Sequence, residues 1–299
     1  MTEIKKFGID IGGHTLTIAE VVEFPAPHIV NKKTIATPSP RTPETLVDSL
    51  SLLVQEYVHD YEDCSVGIAV PGALDKSKKY CYLTNFGNIR CNLQELLTVE
   101  LAKHNILANV KAENDANAVA IGEKIAGQAK DLQDFICVTL GTGIGGGIFS
   151  NNHLITGAHG LAGELGHIFL ENEKESCACG GKGHLEAFVG AYTVENEAKN
   201  AGVADSFKEL WAKRNTSENA RHITTKFINR LASAFATYIA ILDPEAIFLY
   251  GGISKSVGIV QEITSELKPL LSTAQKMHCK IIVSKLEENA AIYGVALGL

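Results

Sequence analysis

Residues 135–149, FICVTLGTGIGGGIF, and residues 7–22, FGIDIGGHTLTIAEVV, decide the fold. In each, a glycine-rich turn separates two runs of β-forming residues, the pattern of a tight hairpin. Phe7 to Ile11 and Leu16 to Val22 flank Gly12-Gly13-His14-Thr15, and Phe135 to Leu140 and Ile144 to Phe149 flank GTGIGGG. A third β-rich run, Ile29 to Thr37, follows the first hairpin. Thr42-Pro43-Glu44 then supplies an N-cap, a first-turn Pro and an acid at the positive end of a helix running to about His59. Val66 to Val70, apolar throughout but for one Gly and ended by Pro71-Gly72, reads as a strand buried on both faces. Helix patterns over about Leu93–His104 and Asp115–Ala126 bracket a strand over Ala108–Glu113. The second hairpin is followed by helices over about Glu218–Leu242 and Ser254–Leu271, strands Ala246–Tyr250 and Lys280–Val283, and a final helix from Asn289. This alternation predicts parallel sheets whose ligands collect at the carboxyl ends of the strands. Two glycine hairpins, each opening a β-then-α series, predict duplicated α/β domains facing one cleft.

Composition narrows the class. A 299-residue chain with 45% hydrophobic and 20% charged residues is an ordinary globular protein, long for a single core. Its formal charge of −7 argues against a nucleic-acid partner. The sequence holds no apolar run of about 18 residues, so no membrane span is expected. MTEIKKFGIDIGG passes into a strand without an apolar leader core, and with seven cysteines this points to a reducing, cytoplasmic setting. Cys64, Cys81, Cys91, Cys137 and Cys279 stand far apart and read as small buried hydrophobes.

Four motifs carry chemistry. Gly141 to Gly146 satisfies GxGxxG, but a dinucleotide fingerprint must open a helix, and β-type residues follow here. A hairpin whose N–H groups and Thr142 hydroxyl bind phosphate oxygens fits better, with a merely tight turn as the alternative. Asp10 ends a strand just before Gly12-Gly13, where its carboxylate either holds a nucleotide's Mg²⁺ through water or serves the turn. At Glu113-Asn114-Asp115-Ala116-Asn117 a strand meets a helix. Asp115 could be a general base toward a hydroxyl that Asn114 orients, or either residue could simply be an N-cap.

The fourth motif is residues 157–186, GAHGLAGELGHIFLENEKESCACGGKGHLE. His167, Cys177, Cys179 and His184 offer two imidazoles and two thiolates, a set that satisfies tetrahedral Zn²⁺. Glu164 and Glu186 are left over, and hard carboxylates beside such a site suit a polar ligand better than the metal. Glu164 and His167, three residues apart, share one face of a helical turn. If one His167 nitrogen binds zinc, the other can donate to a substrate oxygen. Zinc removal should then weaken substrate affinity before nucleotide affinity.

Taken together, DIGG at Asp10, PG at Pro71, TNFG at Thr84, ENDANA at Glu113, LGTGIGGG at Leu140, GAHGLAGELGH at Gly157, CACGGKGHLE at Cys177 and GG at Gly251 resemble the ROK family of sugar kinases (repressor, open reading frame, kinase). The resemblance spans nearly the whole chain and implies two ribonuclease-H-like (actin-like ATPase) domains with an interdomain cleft. The expected division is a smaller domain over residues 1–118 and a larger one over 119–287 with the zinc loop. A C-terminal helix over about 288–299 is expected to pack back onto the first domain. The resemblance makes Asp115 the general base that lets a hexose hydroxyl, the 6-hydroxyl by expectation, attack the γ-phosphate of ATP with Mg²⁺ present. It assigns sugar contacts to Gly72, Asn85, Asn114, Asp115, Glu164, His167 and Glu186, and nucleotide contacts to Asp10, Gly12, Gly13, Thr142, Gly143 and Gly252. Structural zinc falls to His167, Cys177, Cys179 and His184.

Two positions differ from the family's pattern. His14 stands where the first glycine turn usually has Thr, and His184 replaces the third Cys of CxCGxxGC. Allose or glucose is the expected sugar, with N-acetylmannosamine, N-acetylglucosamine or fructose as alternatives. A sugar-responsive regulator without kinase activity is the other reading, although only six residues precede Phe7, too few for a DNA-reading helix-turn-helix. The family's habit also implies a homo-oligomer, a dimer by expectation.

Overall fold

Alternating burial along the first hairpin sends Phe7, Ile9, Leu16 and Ile18 into a core and fixes one face of a sheet. The computed structural model describes residues 4–58, 63–75, 77, 79–83, 89–170, 175–278 and 280–299. They divide into two units, Met1–Asp131 with Leu154–Ala162 and Glu288–Leu299, and Leu132–His153 with Gly163–Glu287. Cys279 lies outside the described residues, whereas Cys64, Cys81, Cys91 and Cys137 are buried as expected.

The first unit is built on β1 (Lys5–Ile11), β2 (Thr15–Val22), β3 (His28–Ala36), β4 (Asp63–Val70) and β8 (Leu107–Asn114), in the order β3-β2-β1-β4-β8. The hairpin strands are antiparallel, and β4 is parallel to both β1 and β8. A small sheet of β5 (Gly72–Leu74), β6 (Cys81–Leu83) and β7 (Ile89–Cys91) follows β4. Helices α1 (Pro43–Gln55) and α2 (Leu93–Lys103) cover the sheet core with Leu46, Leu50, Leu97 and Leu101. At the head of α1 the Thr42 hydroxyl accepts from the Thr45 N–H and the Thr45 hydroxyl accepts from the Thr42 N–H, so two otherwise unsatisfied donors are paired. α3 (Asp115–Ala126) leaves the end of β8 directly.

The second unit repeats the plan with β9 (Phe135–Leu140), β10 (Ile144–Ser150), β11 (His153–Leu154), α4 (Glu186–Val189), α5 (Ala191–Asn200), α6 (Phe207–Lys213), α7 (Glu218–Leu242), β12 (Ala246–Tyr250), α8 (Ile259–Leu267) and β13 (Lys280–Val283). The sheet order is β11-β10-β9-β12-β13. In both units the strands of the main sheet are therefore arranged third, second, first, fourth, fifth. β9 and β10 form the antiparallel hairpin, and β12 runs parallel to β9 and β13. Phe135 stacks on Phe149 at 4.8 Å and meets Phe248 edge-on at 5.9 Å in the core beneath the hairpin.

Two local readings change and one holds. The helix expected over 254–271 is only α8, because Gly258 enters it at φ 84° and the ends at Ile253–Lys255 and Lys268–Leu270 tighten into 3₁₀ turns. α5 and α6, short and charged on their outer faces, escaped the periodicity. The GTGIGG segment continues as β10 rather than opening a helix, as its β-type residues predict. Among the described residues no helix is long and apolar enough to cross a membrane.

The final helix, α9 (Ala290–Gly298), lies against β1, β4 and α3 of the first unit. Its contact with α3 is reciprocal: a Cβ on Gly122 would overlap the Ala290 carbonyl, and one on Gly294 the Ala118 carbonyl. Both glycines follow an Ala four residues earlier, so each helix presents a side-chain-free stripe to the other. Gly294→Ala would improve intrinsic helix propensity by about 1 kcal/mol, but the methyl has only backbone to meet. It is expected to lower stability by about 2 kcal/mol or more, read as a fall in urea midpoint at unchanged m-value.

Candidate active site and metal centre

In the first unit the candidate residues sit at the carboxyl ends of parallel strands. Ala69 is the register partner of both Asp10 and Glu113, so β1, β4 and β8 end level. The Gly12 N–H donates to the Thr15 carbonyl at 2.8 Å, closing the first turn. From outside, Thr37 Oγ1 donates to the Gly12 carbonyl at 3.1 Å and Arg41 to the Gly13 carbonyl. His14 and Thr15 are exposed at its tip. Burial pushes the Asp10 carboxyl up to about 6, with Lys32 pulling the other way.

At the β8–α3 junction the two candidate roles are divided between neighbours. Asn114 is the N-cap: its Oδ1 accepts from the Asn117 N–H at 2.9 Å. Its Nδ2 donates to the Gly72 carbonyl at 2.9 Å and to Asp115 Oδ1 at 3.1 Å. Asp115 is already inside the helix, and its Oδ1 also accepts from the Ala116 N–H at 2.8 Å. Below them Glu113 is buried and accepts from the Asn114 N–H at 3.1 Å and Asn117 Nδ2 at 3.2 Å. The structure thus brings Asp10, Gly12, Gly13, Gly72, Asn114 and Asp115 to one edge of the first unit. Asn85 lies outside the described residues.

In the second unit the glycine turn again follows a strand end. Gly141 N–H donates to the Gly143 carbonyl at 3.1 Å, and Gly145 N–H to Thr139 Oγ1 at 2.9 Å. Thr142 is exposed at the tip. Tyr250 is the register partner of Thr139, so Gly252, just past the end of β12, joins Thr142 and Gly143 at this edge. Gly251 bends the chain there at φ 88°.

The residues after Gly163 press onto β10, where a Cβ on Gly166 would overlap the Ile144 carbonyl. Tyr238 on α7 holds the segment from behind, donating to the Leu165 carbonyl at 2.7 Å. Leu165–His167 forms a 3₁₀ turn that carries Glu164 and His167 on one side, with His167 Nδ1 3.0 Å from Glu164 Oε2. Residues 168–170 then pair with 183–185: Leu170 N–H donates to the Gly183 carbonyl at 2.8 Å and Leu185 N–H to the Ile168 carbonyl at 3.0 Å. This pairing carries His184 back beside His167, with ring centroids 5.3 Å apart. The cysteine loop folds on itself through Cys177 N–H to the Gly181 carbonyl at 2.9 Å and Gly181 N–H to Cys179 Sγ at 3.4 Å.

One ligand atom from each of His167, Cys177, Cys179 and His184 therefore lies within 4.8 Å of the others. Ideal zinc bonds put ligand atoms about 3.3–3.8 Å apart, so this set fits a tetrahedral ion after a contraction of about 1 Å. Cys179 Sγ and His184 Nδ1, at 3.2 Å, are already that close. Glu186 borders the cluster. Its Oε2 accepts from the Ile144 N–H at 2.8 Å, while Oε1 lies 3.4 Å from Cys177 Sγ and 3.6 Å from His167 Nε2. Burial pushes its carboxyl up, but hydrogen bonds from His167, Ile144 and Cys177 outweigh this and hold it below the usual range. The same contacts act on His167, where hydrogen bonds first to Glu164 and then to Glu186 raise the imidazole to about 10. Burial raises the Cys177 thiol to about 12, and a ligated metal would have to displace both protons. Sequence reasoning missed the Ile144 amide, a backbone donor with no side-chain signal. It also missed Gly190-Ala191, whose lone glycine between two helical runs was the available sign.

The ROK family model matches residues 6–297. The glucokinase of Thermotoga maritima is 31% identical over 318 residues, covering 99% of this chain and 97% of that protein. The N-acetylmannosamine kinase of Escherichia coli is 28% identical over 268 residues, 87% of each. Among solved structures, a ROK family glucokinase from Streptomyces griseus in complex with glucose and AMPPNP has a TM-score of 0.80 at 26% identity, covering 98% of both chains. The shared fold is that of the actin-like ATPases. With its two glycine hairpins, its strand-end Asn-Asp pair and its Cys/His cluster, this chain belongs to the ROK family.

Proposed function

We propose that this protein is an ATP-dependent sugar kinase that phosphorylates a hexose, at the 6-hydroxyl, with glucose or allose as the first candidates. The observation that carries the reading is the β8–α3 junction. Because Asn114 takes the capping role, Asp115 is left with its carboxylate oriented by two donors at the level of the strand ends. In this reading Asp115 takes the proton from the sugar hydroxyl as the oxygen attacks the γ-phosphorus. The bond to the β–γ bridging oxygen breaks, and ADP leaves. Gly72, Asn114, Glu164, His167 and Glu186 would read sugar hydroxyls, and the amides of Gly13, Gly143 and Gly252 with the Thr142 hydroxyl would hold phosphates beside Gly12, whose lack of a side chain would let them approach. Asp10 would hold Mg²⁺ through water; a half-buried carboxylate whose burial disfavours its charge suits a cation. Mg²⁺, when bound with ATP, offsets phosphate charge. Zn²⁺, when bound to His167, Cys177, Cys179 and His184, supplies a structural staple.

A panel of hexoses and N-acetylhexosamines with Mg·ATP tests the reading. ADP should form with at least one sugar, and Asp115→Asn should cut kcat by about 10²–10⁴-fold with sugar affinity within a few-fold of wild type. An active Asp115→Asn enzyme would refute the assignment of the base. Metal analysis of protein prepared without chelators should return one zinc per chain, and a value well under half an equivalent would remove the metal reading.

Asp10 sets a pH dependence. Its folded pKa, about 6, lies above the ordinary 3.8, so ionising it opposes folding. Stability should be unaffected below about pH 4, fall as pH rises toward 6 and stay lowered above, by at most about 3 kcal/mol. Asp10→Asn should raise the melting temperature of Mg²⁺-free protein near pH 8, leave it unchanged near pH 4, and weaken Mg·ATP binding.

A further inference from the structure

We propose that Glu186 is a positioning residue that couples the Cys/His metal centre to the phosphate-binding turn, so that occupancy of the centre governs nucleotide affinity as well as sugar affinity. The inference rests on the zinc and phosphate-turn assignments above. It goes beyond them because Glu186 enters neither as a metal ligand nor only as a sugar contact.

Both carboxylate oxygens are committed in opposite directions. Oε2 receives the Ile144 N–H from the turn, and Oε1 faces Cys177 Sγ and His167 Nε2, two of the four metal-ligating groups. A second attachment lies one helical turn further on. Ala191 N–H donates to the Gly141 carbonyl at 2.9 Å, and a Cβ on Gly190 would come within 2.8 Å of the Thr142 carbonyl. The chain segment that leaves the cysteine loop is thus hydrogen-bonded to the turn at 141 and 144 and packed closely against it at 142, over only six of its own residues. Gly143 reports how tight the fit is, since a Cβ there would overlap Glu186 Oε2. The carboxylate would have to give way, leave the Ile144 amide and move against the metal-ligating groups. Zinc held by His167, Cys177, Cys179 and His184 would fix in place the two groups that Oε1 faces, and with them the carboxylate that seats the Ile144 amide. Binding at either end must bias the other by the same factor. On this proposal zinc loss would weaken both affinities together, where the sequence reading expects sugar affinity to fall first.

The test is the rate at which zinc-loaded protein surrenders zinc to excess chromophoric, zinc-selective chelator. Gly143→Ala changes no ligand, yet it should release zinc about five-fold faster or more. Glu186→Ala should do the same, and the double variant should match Glu186→Ala alone, since the methyl then has nothing to displace. Release from Gly143→Ala at the wild-type rate, or fully additive effects in the double variant, overturns the coupling. Wild-type protein supplies a check that needs no variant and decides the matter should Gly143→Ala fail to fold. Saturating Mg·ATP without sugar should slow zinc release about five-fold, and a rate that bound ATP leaves unchanged or raises overturns the proposal. Wild-type protein that holds no zinc overturns the metal reading and this one together, and protein that binds no ATP does so for the kinase reading. Full zinc, bound ATP and an unmoved rate overturn the coupling alone.

Discussion

Parallel pairing is the constraint on which the arrangement of this protein depends. A strand in a parallel sheet hydrogen-bonds neighbours that run the same way, so every connection must leave from one edge and return to the other. With Ala69 in register with both Asp10 and Glu113, whatever follows β1, β4 and β8 emerges at a single edge. Glycine turn, Pro71-Gly72 and Asn114-Asp115 are far apart in sequence, yet they reach that edge without any long loop to carry them. The second unit repeats the logic, with Thr139 and Tyr250 level, Gly141-Thr142-Gly143 after β9 and Gly251-Gly252 after β12. Chemistry at strand ends is what this topology makes inexpensive.

Placing polar groups at that edge has a local cost. Glu113 and Asn117 are buried beneath Asn114 and Asp115, and Asn117 Oδ1 has no hydrogen-bond partner among the described residues. An unsatisfied buried acceptor costs about 1–3 kcal/mol. Asp10 adds a carboxylate whose charge its surroundings disfavour. Core residues such as Phe7, Ile9, Ile68 and Leu97 offset these costs from within the same unit. Stability spent at the strand ends and recovered in the core is the expected balance for a working site.

How far the sequence could be read depended on whether a feature is local. The two hairpins were legible because a glycine turn between β-branched runs has one low-cost outcome. The convergence of His167, Cys177, Cys179 and His184 was legible because thiols and imidazoles at those spacings have few other uses. The i, i+3 pairing of Glu164 with His167 follows from backbone geometry alone. By contrast, Asn114 and Asp115 are equally good caps on paper, and what separates them is the Gly72 carbonyl, which only the fold brings within 2.9 Å. The truncated helix at 259–267 depends on Gly258 adopting φ 84°, a choice no hydrophobic pattern encodes. Glu186 looked like a spare carboxylate because one of its partners, the Ile144 amide, is backbone and 42 positions away.

The substitution of His184 for the family's third cysteine gains a physical sense from the same carboxylate. Three thiolates and one imidazole around Zn²⁺ carry a net negative charge, whereas two of each carry none. Glu186 Oε1 stands 3.4 Å from Cys177 Sγ, and its partner oxygen is anchored on Ile144, so it cannot withdraw without releasing the turn. An anionic centre at that distance would repel the carboxylate. A neutral centre removes that conflict. His184 reaches its place through the pairing of residues 168–170 with 183–185, where an imidazole spans the gap to Cys179 at 3.2 Å. With zinc bound as proposed, a ligand set containing His184 would spare Glu186 that repulsion and leave it in place on the Ile144 amide.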